Sequence, residues 1–364
     1  MMNRWLDRGA DGFRMDVISL LAKDPQLPDG TGSGYVFSPE YFAFQPRLHD
    51  YLWEMRRECF DGRDCMCVGE TSFVTTQNTG SVVDDGRELD MLFQFDVMDM
   101  DSGETKWDAR PFDLMRFKQI ISAWQAAIGW NTLFWGNHDQ PRLVSRFGCT
   151  RTETLRRRSA TCLATAMYLL RGTPFLYQGE EIGMTNWRPE RADMYEDVQT
   201  RYTYAHTALK QSEEVRLHRL WRSSRDSART PVQWDSSENA GFTTGKPWFY
   251  VNQNYKDINV AKQEADPDSV LNFYRKAVAL RKSLSCVRYG EYREYQKLSG
   301  KHYLYSMDDG QQKILVVCSF AKKDTPFRAP KGFRPEDGEL ILCNYPKPLE
   351  GCLQPYECRV YLWK

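Results

Sequence analysis

The sequence is short of the features that mark nucleic-acid-binding and membrane proteins. Its 49 lysines and arginines are balanced by 49 aspartates and glutamates, so no net field attracts nucleic acid or anionic lipid. It has no apolar run long enough to span a bilayer. Its cysteines lack the paired Cys-x-x-Cys spacing of zinc sites. We therefore predict a protein with no nucleic-acid or membrane partner and no metal site.

Ten cysteines and many aromatic residues are present instead. Disulfide frameworks are typical of short secreted chains, so in 364 residues we expect reduced thiols, which fits a cytoplasmic location. Aromatic residues make up 13% of the chain, with 11 tryptophans and 19 tyrosines. Aromatic faces suit sugar rings, although packing in the core explains most residues of this kind.

Strand-like and helical segments alternate through the first part of the chain. This alternation is the pattern of parallel βα units with a buried sheet, so the predicted fold class is α/β. The predicted strands are Gly12–Val17, Cys65–Gly69, Met91–Phe95, Thr132–Trp135 and Pro174–Gln178. The predicted helices between them are Arg47–Phe60, Asp113–Ala127 and Thr152–Leu170.

Two further regions follow the fifth strand. A long excursion, from about residue 179 to residue 266, contains a polar helical stretch at 197–222, and loops of this length usually build the active site of a barrel. The acidic pair Glu180 and Glu181 at its start is interpreted as structural. After the amphipathic helix Ser269–Ser283, short alternating strands predict an antiparallel β domain. We expect two domains, at residues 1–285 and 286–364.

Three carboxylates follow predicted strands at their carboxyl ends. Asp16 comes two residues after Arg14, so both side chains lie on one side, where the cation keeps the aspartate ionised and in place. Glu70 follows the second strand and Asp139 the fourth. Acids at such ends converge on one point in barrel enzymes. Each acid alone could instead cap a helix, and Arg14 with Asp16 could be a surface ion pair.

Longer motifs surround these acids, at Asp11–Val17, Val68–Thr71, Asn137–Arg142 and Gly172–Gly183. Together they resemble glycoside hydrolase family 13, the α-amylase family. More narrowly, the chain resembles the oligo-1,6-glucosidase group of that family, in the three stretches 99–104, 225–234 and 240–248. The resemblance extends over essentially the whole chain.

The resemblance implies a retaining α-glucosidase, whose two carboxyl groups lie about 5–5.5 Å apart. Asp16 would be the nucleophile, with Arg14 bonding it, and Glu70 would be the acid/base. Asp139 would bind hydroxyls of the distorted sugar in the oxocarbenium-like transition state. His138 would hydrogen-bond the same sugar; without the resemblance it would be interpreted as a core histidine.

Val17 and Arg225 complete the substrate-binding residues that the resemblance implies. Family members acting on α-1,4 bonds usually carry alanine after the nucleophile, whereas a β-branched residue there goes with α-1,6 bonds. The alternatives are that Val17 simply continues a strand and that Arg225 is an exposed loop residue. We expect hydrolysis of terminal α-1,6 bonds in isomaltose-type oligosaccharides. Trehalose 6-phosphate is the alternative substrate, because phosphotrehalases share the valine and most of the motifs.

The chain departs from the family in the number of its strands. The family barrel has eight, and only five precede the β domain here, so the resemblance implies strands four to eight of a (β/α)8 TIM barrel followed by an antiparallel β-sandwich. We expect an N-terminally truncated fragment of a longer enzyme, insoluble or inactive when expressed alone, because open parallel edges aggregate. The calcium loop of many relatives would lie in the missing part, so no cofactor is assigned. A non-catalytic family member is the remaining alternative.

Overall fold

The computed structural model describes residues 1–32, 37–83, 86–207 and 211–364. It divides into two compact units, one formed by Met1–Val97 and Gln119–Thr132 and the other by Met98–Lys118 and Leu133–Lys364. No helix in these described ranges has the length and apolarity needed to cross a bilayer. All ten cysteines are free thiols, as the sequence analysis expected.

The first unit is built on a three-stranded parallel sheet. Its strands are β1 (Gly12–Met15), β2 (Met66–Glu70) and β3 (Met91–Phe93), with β2 in the centre. The predicted parallel pairing is therefore confirmed for these strands. At Gly12, φ is 149° and a Cβ atom would lie 1.9 Å from the carbonyl oxygen of Met66. Only glycine allows β1 and β2 to approach this closely.

Helices pack against this sheet through apolar residues at helical spacing. They are α1 (Met2–Leu6), α2 (Arg47–Met55), α3 (Gly80–Val83) and the part of α4 (Leu114–Ala127) from residue 119 onward. Leu48 and Leu52, four residues apart on α2, share one core with Cys67 of β2 and Trp124 of α4. The predicted helix at residues 47–60 is confirmed, although it continues beyond α2 as a π-helical turn.

The second unit contains residues 114–118 of α4, the last residue of the strand that follows β3, and the helices and strands after it. At the end of β4 (Asn131–Leu133), the Leu133 carbonyl accepts a 2.8 Å hydrogen bond from the Phe175 N–H, just beyond β5 (Gly172–Pro174). Between them lie α5 (Leu143–Arg146) and α6 (Glu153–Tyr168), which is buried from Ser159 to its end. The later helices are α7 (Val198–His206), α8 (Glu213–Ser223), α9 (Asp226–Arg229), α10 (Val260–Glu264), α11 (Val270–Ser283) and α12 (Ser285–Tyr289).

Several predicted boundaries are wrong; β3 and β4, for example, each end two residues earlier than predicted, at Phe93 and Leu133. β1 ends at Met15 and not at Val17, where the backbone turns left-handed. β5 ends at Pro174, before a turn in which the Glu180 N–H donates to the Tyr177 carbonyl. The single helical stretch expected at 197–222 is two helices, because Ser212 caps a second one; residues 208–210 lie outside the described part.

The C-terminal region is antiparallel, as predicted. Five strands form one sheet in the order β10-β12-β8-β7-β6: β6 (Glu291–Tyr295), β7 (His302–Asp308), β8 (Lys313–Ser319), β10 (Glu339–Cys343) and β12 (Cys358–Trp363). A separate pair joins β9 (Thr325–Pro326) to β11 (Cys352–Leu353). Leu353 of this pair packs into the same core as Leu304 and Leu315 of the larger sheet.

Candidate active site

One arginine links the first two predicted catalytic carboxylates. In the parallel register Arg14 lies opposite Val68 and Met15 opposite Gly69, so Asp16 and Glu70 come next to each other at the carboxyl ends of β1 and β2. Arg14 Nη1 lies 2.5 Å from Asp16 Oδ1, and Arg14 Nη2 donates to Glu70 Oε2. The two carboxyl groups are therefore bonded to the two terminal nitrogens of one guanidinium group.

The two carboxylates differ in their access to solvent. The Asp16 side chain is 72% exposed, whereas that of Glu70 is 14% exposed. Gly69, directly before Glu70, lies against the core, since a Cβ atom there would lie 2.6 Å from Leu89 and 2.7 Å from Ile18. One acid is open to an incoming group and the other sits in a partly desolvated setting, an asymmetry that lets paired carboxyls take different roles.

Val17, directly after Asp16, has a strained backbone. Its φ and ψ are both 39°, in the left-handed region, and its side chain is 39% exposed. A β-branched residue in this region is an outlier, and such strain concentrates at functional sites. The reading of Val17 as an ordinary strand residue is therefore wrong. Its carbonyl accepts from the Leu20 N–H, which fixes the turn that leaves the strand.

In the second unit Asp139 is held by two arginines. Its Oδ1 lies 3.0 Å from Arg225 Nη1 and 2.7 Å from Arg229 Nη2, while His138 Nε2 lies 3.5 Å from Oδ2. Burial raises the pKa of Asp139, but the Arg225 hydrogen bond and the charges of His138, Arg225 and Arg229 outweigh it, and the pKa is lowered. Asp139 is therefore a carboxylate at neutral pH, and predicted residues His138 and Arg225 are both beside it.

Arg225 also binds a buried acid that the sequence analysis did not identify. Arg225 Nε lies 2.7 Å from Asp197 Oδ1, and the Asp197 side chain is 2% exposed. Burial raises the pKa of Asp197, but hydrogen bonds from Thr200 and Arg225 outweigh it. The only sequence signal for Asp197 is its place as the N-cap of α7. Arg225 is thus clamped between two carboxylates and is not a free loop arginine.

A lysine adds a further cation near this group. Lys106 Nζ lies 2.6 Å from Gln199 Oε1 and 4.7 Å from the centroid of the Trp107 ring. Burial lowers the pKa of Lys106, and the charges of Asp197 and Asp139 offset this effect only in part, so the pKa is lowered. Neither Lys106 nor Arg229 was predicted from the sequence, although both lie in or next to motifs that carry the family resemblance.

The predicted site residues thus fall into two sets. Arg14, Asp16, Val17 and Glu70 are assembled in the first unit, and His138, Asp139 and Arg225 in the second. Within the described ranges, no group of three or more histidine, cysteine or acidic side chains could hold a metal ion. The chemistry available to these side chains is that of paired carboxyl groups, one recessed and one open, and of cation-bound acids that can accept hydrogen bonds from hydroxyl groups.

Comparison with known proteins gives a consistent result. A family model described as the catalytic domain of alpha amylase matches residues 1–290. Oligo-1,6-glucosidase from Bacillus cereus is 41% identical over 100% of this chain and 67% of its own length. The oligo-1,6-glucosidase of Parageobacillus thermoglucosidasius is 43% identical, with coverages of 99% and 66%. The chain therefore spans about two thirds of the length of these relatives.

Trehalose-6-phosphate hydrolases are also similar to this chain. The Bacillus subtilis protein of that name is 39% identical over 99% of this chain and 66% of its own length. Among solved structures, the mutant R201Q of Bacillus licheniformis trehalose-6-phosphate hydrolase has a TM-score of 0.92 and 38% identity, covering 99% of this chain and 66% of that one.

Proposed function

Since the chain belongs to glycoside hydrolase family 13, the α-amylase family, we propose that the protein carrying it is a retaining α-glucosidase. Its reaction is the hydrolysis of terminal α-1,6-glucosidic bonds in isomaltose-type oligosaccharides. The observation that carries the proposal is the single guanidinium of Arg14, which bonds the carboxyl groups of both Asp16 and Glu70. Retention requires two carboxyl groups about 5–5.5 Å apart, and a shared guanidinium is a device that keeps them close.

The two acids take successive roles in this mechanism. The Asp16 carboxylate bonds to the anomeric carbon while the glycosidic C–O bond breaks, and Glu70 gives its proton to the departing oxygen. Glu70 then takes a proton from water, which attacks the anomeric carbon and releases Asp16. The exposure of Asp16 supports this division, because the nucleophile must reach the sugar.

Asp139 stabilises the distorted sugar ring in the transition state. Its two arginine partners keep it charged, so its free lone pairs accept hydrogen bonds from sugar hydroxyls that strengthen as positive charge develops. His138, 3.5 Å from the same carboxylate, donates to the same sugar, and Arg225 orients Asp139. Arg14 holds the carboxyl groups of Asp16 and Glu70 in place by bonding both.

The choice of an α-1,6 bond rests on Val17 and on the relatives. Val17 presents a branched, partly exposed side chain beside the nucleophile, where it narrows the space around the leaving group. The oligo-1,6-glucosidase relatives support this substrate. Trehalose 6-phosphate is the second candidate, favoured by relatives of nearly equal identity. A non-catalytic role is disfavoured, because Asp16, Glu70 and Asp139 are all present.

The finer architecture and location are part of the same proposal. β1 to β5 are assigned to strands four to eight of a (β/α)8 barrel, with residues 1–285 as barrel and 286–364 as a C-terminal β-sandwich. The sheet of β1 to β3 and the two-layered antiparallel core support this assignment. The ten free thiols support a cytoplasmic location.

Hydrolysis of isomaltose, maltose and trehalose 6-phosphate by the full-length protein that carries this chain, followed as glucose release, tests this function; the variants below are made in that protein. We expect the highest kcat/KM for isomaltose; a clear preference for the phosphorylated disaccharide would favour the second candidate. Asp16→Asn should abolish turnover, whereas Asp11→Asn, at an exposed carboxylate just before β1, should not change it. Appreciable activity in Asp16→Asn would contradict the assigned nucleophile.

A further inference from the structure

A buried carboxyl group with no role in the steps above lies next to Arg225. Asp226 begins helix α9 and is 0% exposed. Burial raises the pKa of Asp226, while hydrogen bonds from the Asp197 and Glu196 N–H groups lower it. Burying a carboxyl group is costly, and a well-packed apolar residue often does the structural work better. Its presence therefore calls for a reason specific to its partners.

One oxygen of Asp226 holds the backbone that enters α7. Asp226 Oδ2 accepts from the N–H of Glu196 at 2.7 Å and from the N–H of Asp197 at 3.1 Å. A buried N–H group that loses its acceptor is destabilised, because no water is there to replace the lost hydrogen bond. These two bonds fix the position from which the Asp197 side chain leaves the chain.

Hydroxyl groups close a second path between the same residues. The Asp226 N–H donates to Ser224 Oγ at 3.3 Å, and Ser224 Oγ lies 2.9 Å from Thr200 Oγ1. Thr200 Oγ1 in turn donates to Asp197 Oδ2 at 2.7 Å. Asp226 and Asp197 are therefore joined both through the backbone and through these two hydroxyl groups.

Asp197 is connected to Asp139 through Arg225. With Oδ2 bound to Thr200, its Oδ1 accepts from Arg225 Nε at 2.7 Å, and Arg225 Nη1 reaches Asp139 Oδ1 at 3.0 Å. Asp226 is the residue after Arg225 and its side chain binds the N–H of Asp197, so it is connected to both partners of the Arg225–Asp197 ion pair. Misplacing a catalytic group by about 1 Å can cost about a hundredfold in rate.

We propose that Asp226 is a positioning residue for Asp139, acting through the N-terminus of α7, Asp197 and Arg225. It does not touch the sugar. Its other oxygen, Oδ1, and the hydroxyl of Tyr195 are both buried without a hydrogen-bond partner in the described part of the chain. One oxygen of the Asp226 carboxyl group therefore binds the backbone N–H groups of residues 196 and 197, and the other oxygen is buried in the interior. The proposal rests on the proposed function for its kinetic consequence only.

The test compares Asp226→Ala and Asp226→Asn with a matched control. Alanine removes the acceptor of both N–H groups, so kcat on isomaltose should fall about a hundredfold with KM changed less than about threefold, because the link acts in the transition state. Asparagine keeps an acceptor oxygen and should restore kcat to within about tenfold of the unmodified protein. Ser227→Ala removes a neighbouring buried hydroxyl that has no hydrogen-bond partner among the described residues, and should leave kcat unchanged.

A readout independent of activity separates this proposal from the proposed function. In Asp226→Ala, hydrogen–deuterium exchange at residues 196 and 197 should accelerate, and a crystal structure should lack the Arg225–Asp139 contact; Ser227→Ala should show neither change. If Asp226→Ala does not fold, Thr200→Val, which removes only the bridging hydroxyl, should lower kcat about tenfold and accelerate the same exchange. Unaltered exchange and an intact Arg225–Asp139 contact would overturn the proposal even if the protein hydrolyses no glucoside.

Discussion

Glu180 should make the free energy of unfolding of this protein fall as pH rises, and the substitution Glu180→Gln should remove that dependence. It is buried after β5, where its Oε1 accepts from the hydroxyls of Tyr168 at 2.5 Å and Tyr274 at 2.9 Å. Burial, the largest cause, raises the pKa of Glu180 from its ordinary value of 4.5 to about 7, against the two tyrosine hydrogen bonds. Between these values the folded protein holds a proton that the unfolded chain has released.

The free energy of unfolding therefore falls as pH rises from about 4.5 to about 7, and this group adds no further slope above that window. A pKa raised from 4.5 to about 7 corresponds to about 3 kcal/mol of unfolding free energy lost across this window. Urea unfolding of the unmodified protein and of Glu180→Gln at pH 5, 6, 7 and 8, followed by circular dichroism, measures it. The difference in unfolding free energy between the unmodified protein and Glu180→Gln should change steadily from pH 5 to 7 and then level off. Glu190→Gln, at an exposed glutamate, should give a flat difference. A flat difference for Glu180→Gln as well would refute the reasoning.

Three further variants test other parts of the structure. Arg14→Lys keeps the charge but cannot bond both carboxylates as a fork, so kcat should fall about a hundredfold with the melting temperature little changed; an unaltered kcat would contradict the role of the fork. Gly12→Ala would place a methyl group against the Met66 carbonyl, so urea unfolding should show a loss of about 2 kcal/mol or more, and unchanged stability would be evidence against the pairing of β1 with β2. Val17→Ala should raise the ratio of maltose to isomaltose hydrolysis about tenfold, and an unchanged ratio would remove the valine from the determinants of specificity.

The pairing around β1 could be predicted from the sequence because its causes are local. Alternation along a strand places Arg14 and Asp16 on one side, and parallel strands end at the same edge, so Glu70 follows. The end of β1 was beyond such reasoning, because Val17 suits a strand by propensity and is turned left-handed by its surroundings. The predicted strand was therefore two residues too long.

The group around Asp139 was only partly predictable. Motifs identified Asp139, His138 and Arg225, but the contact of Arg225 with Asp197 joins residues 28 positions apart in a long excursion. Asp197 carries no local signal except its capping position, and Lys106 is brought near by tertiary packing, which sequence periodicity does not report. Polar networks of this kind depend on contacts between residues far apart in the sequence, so their members can be identified only from the folded structure.

Covalent trapping tests the central claim most directly. Incubation of the protein with 5-fluoro-α-glucosyl fluoride, which forms the glycosyl ester quickly and releases it slowly, should stop activity and add one fluoroglucosyl group to the protein. Peptide mass spectrometry should locate that group on Asp16, and Asp16→Asn should not be labelled. A label on any other residue, or steady turnover without a trapped ester, would contradict retaining hydrolysis through Asp16.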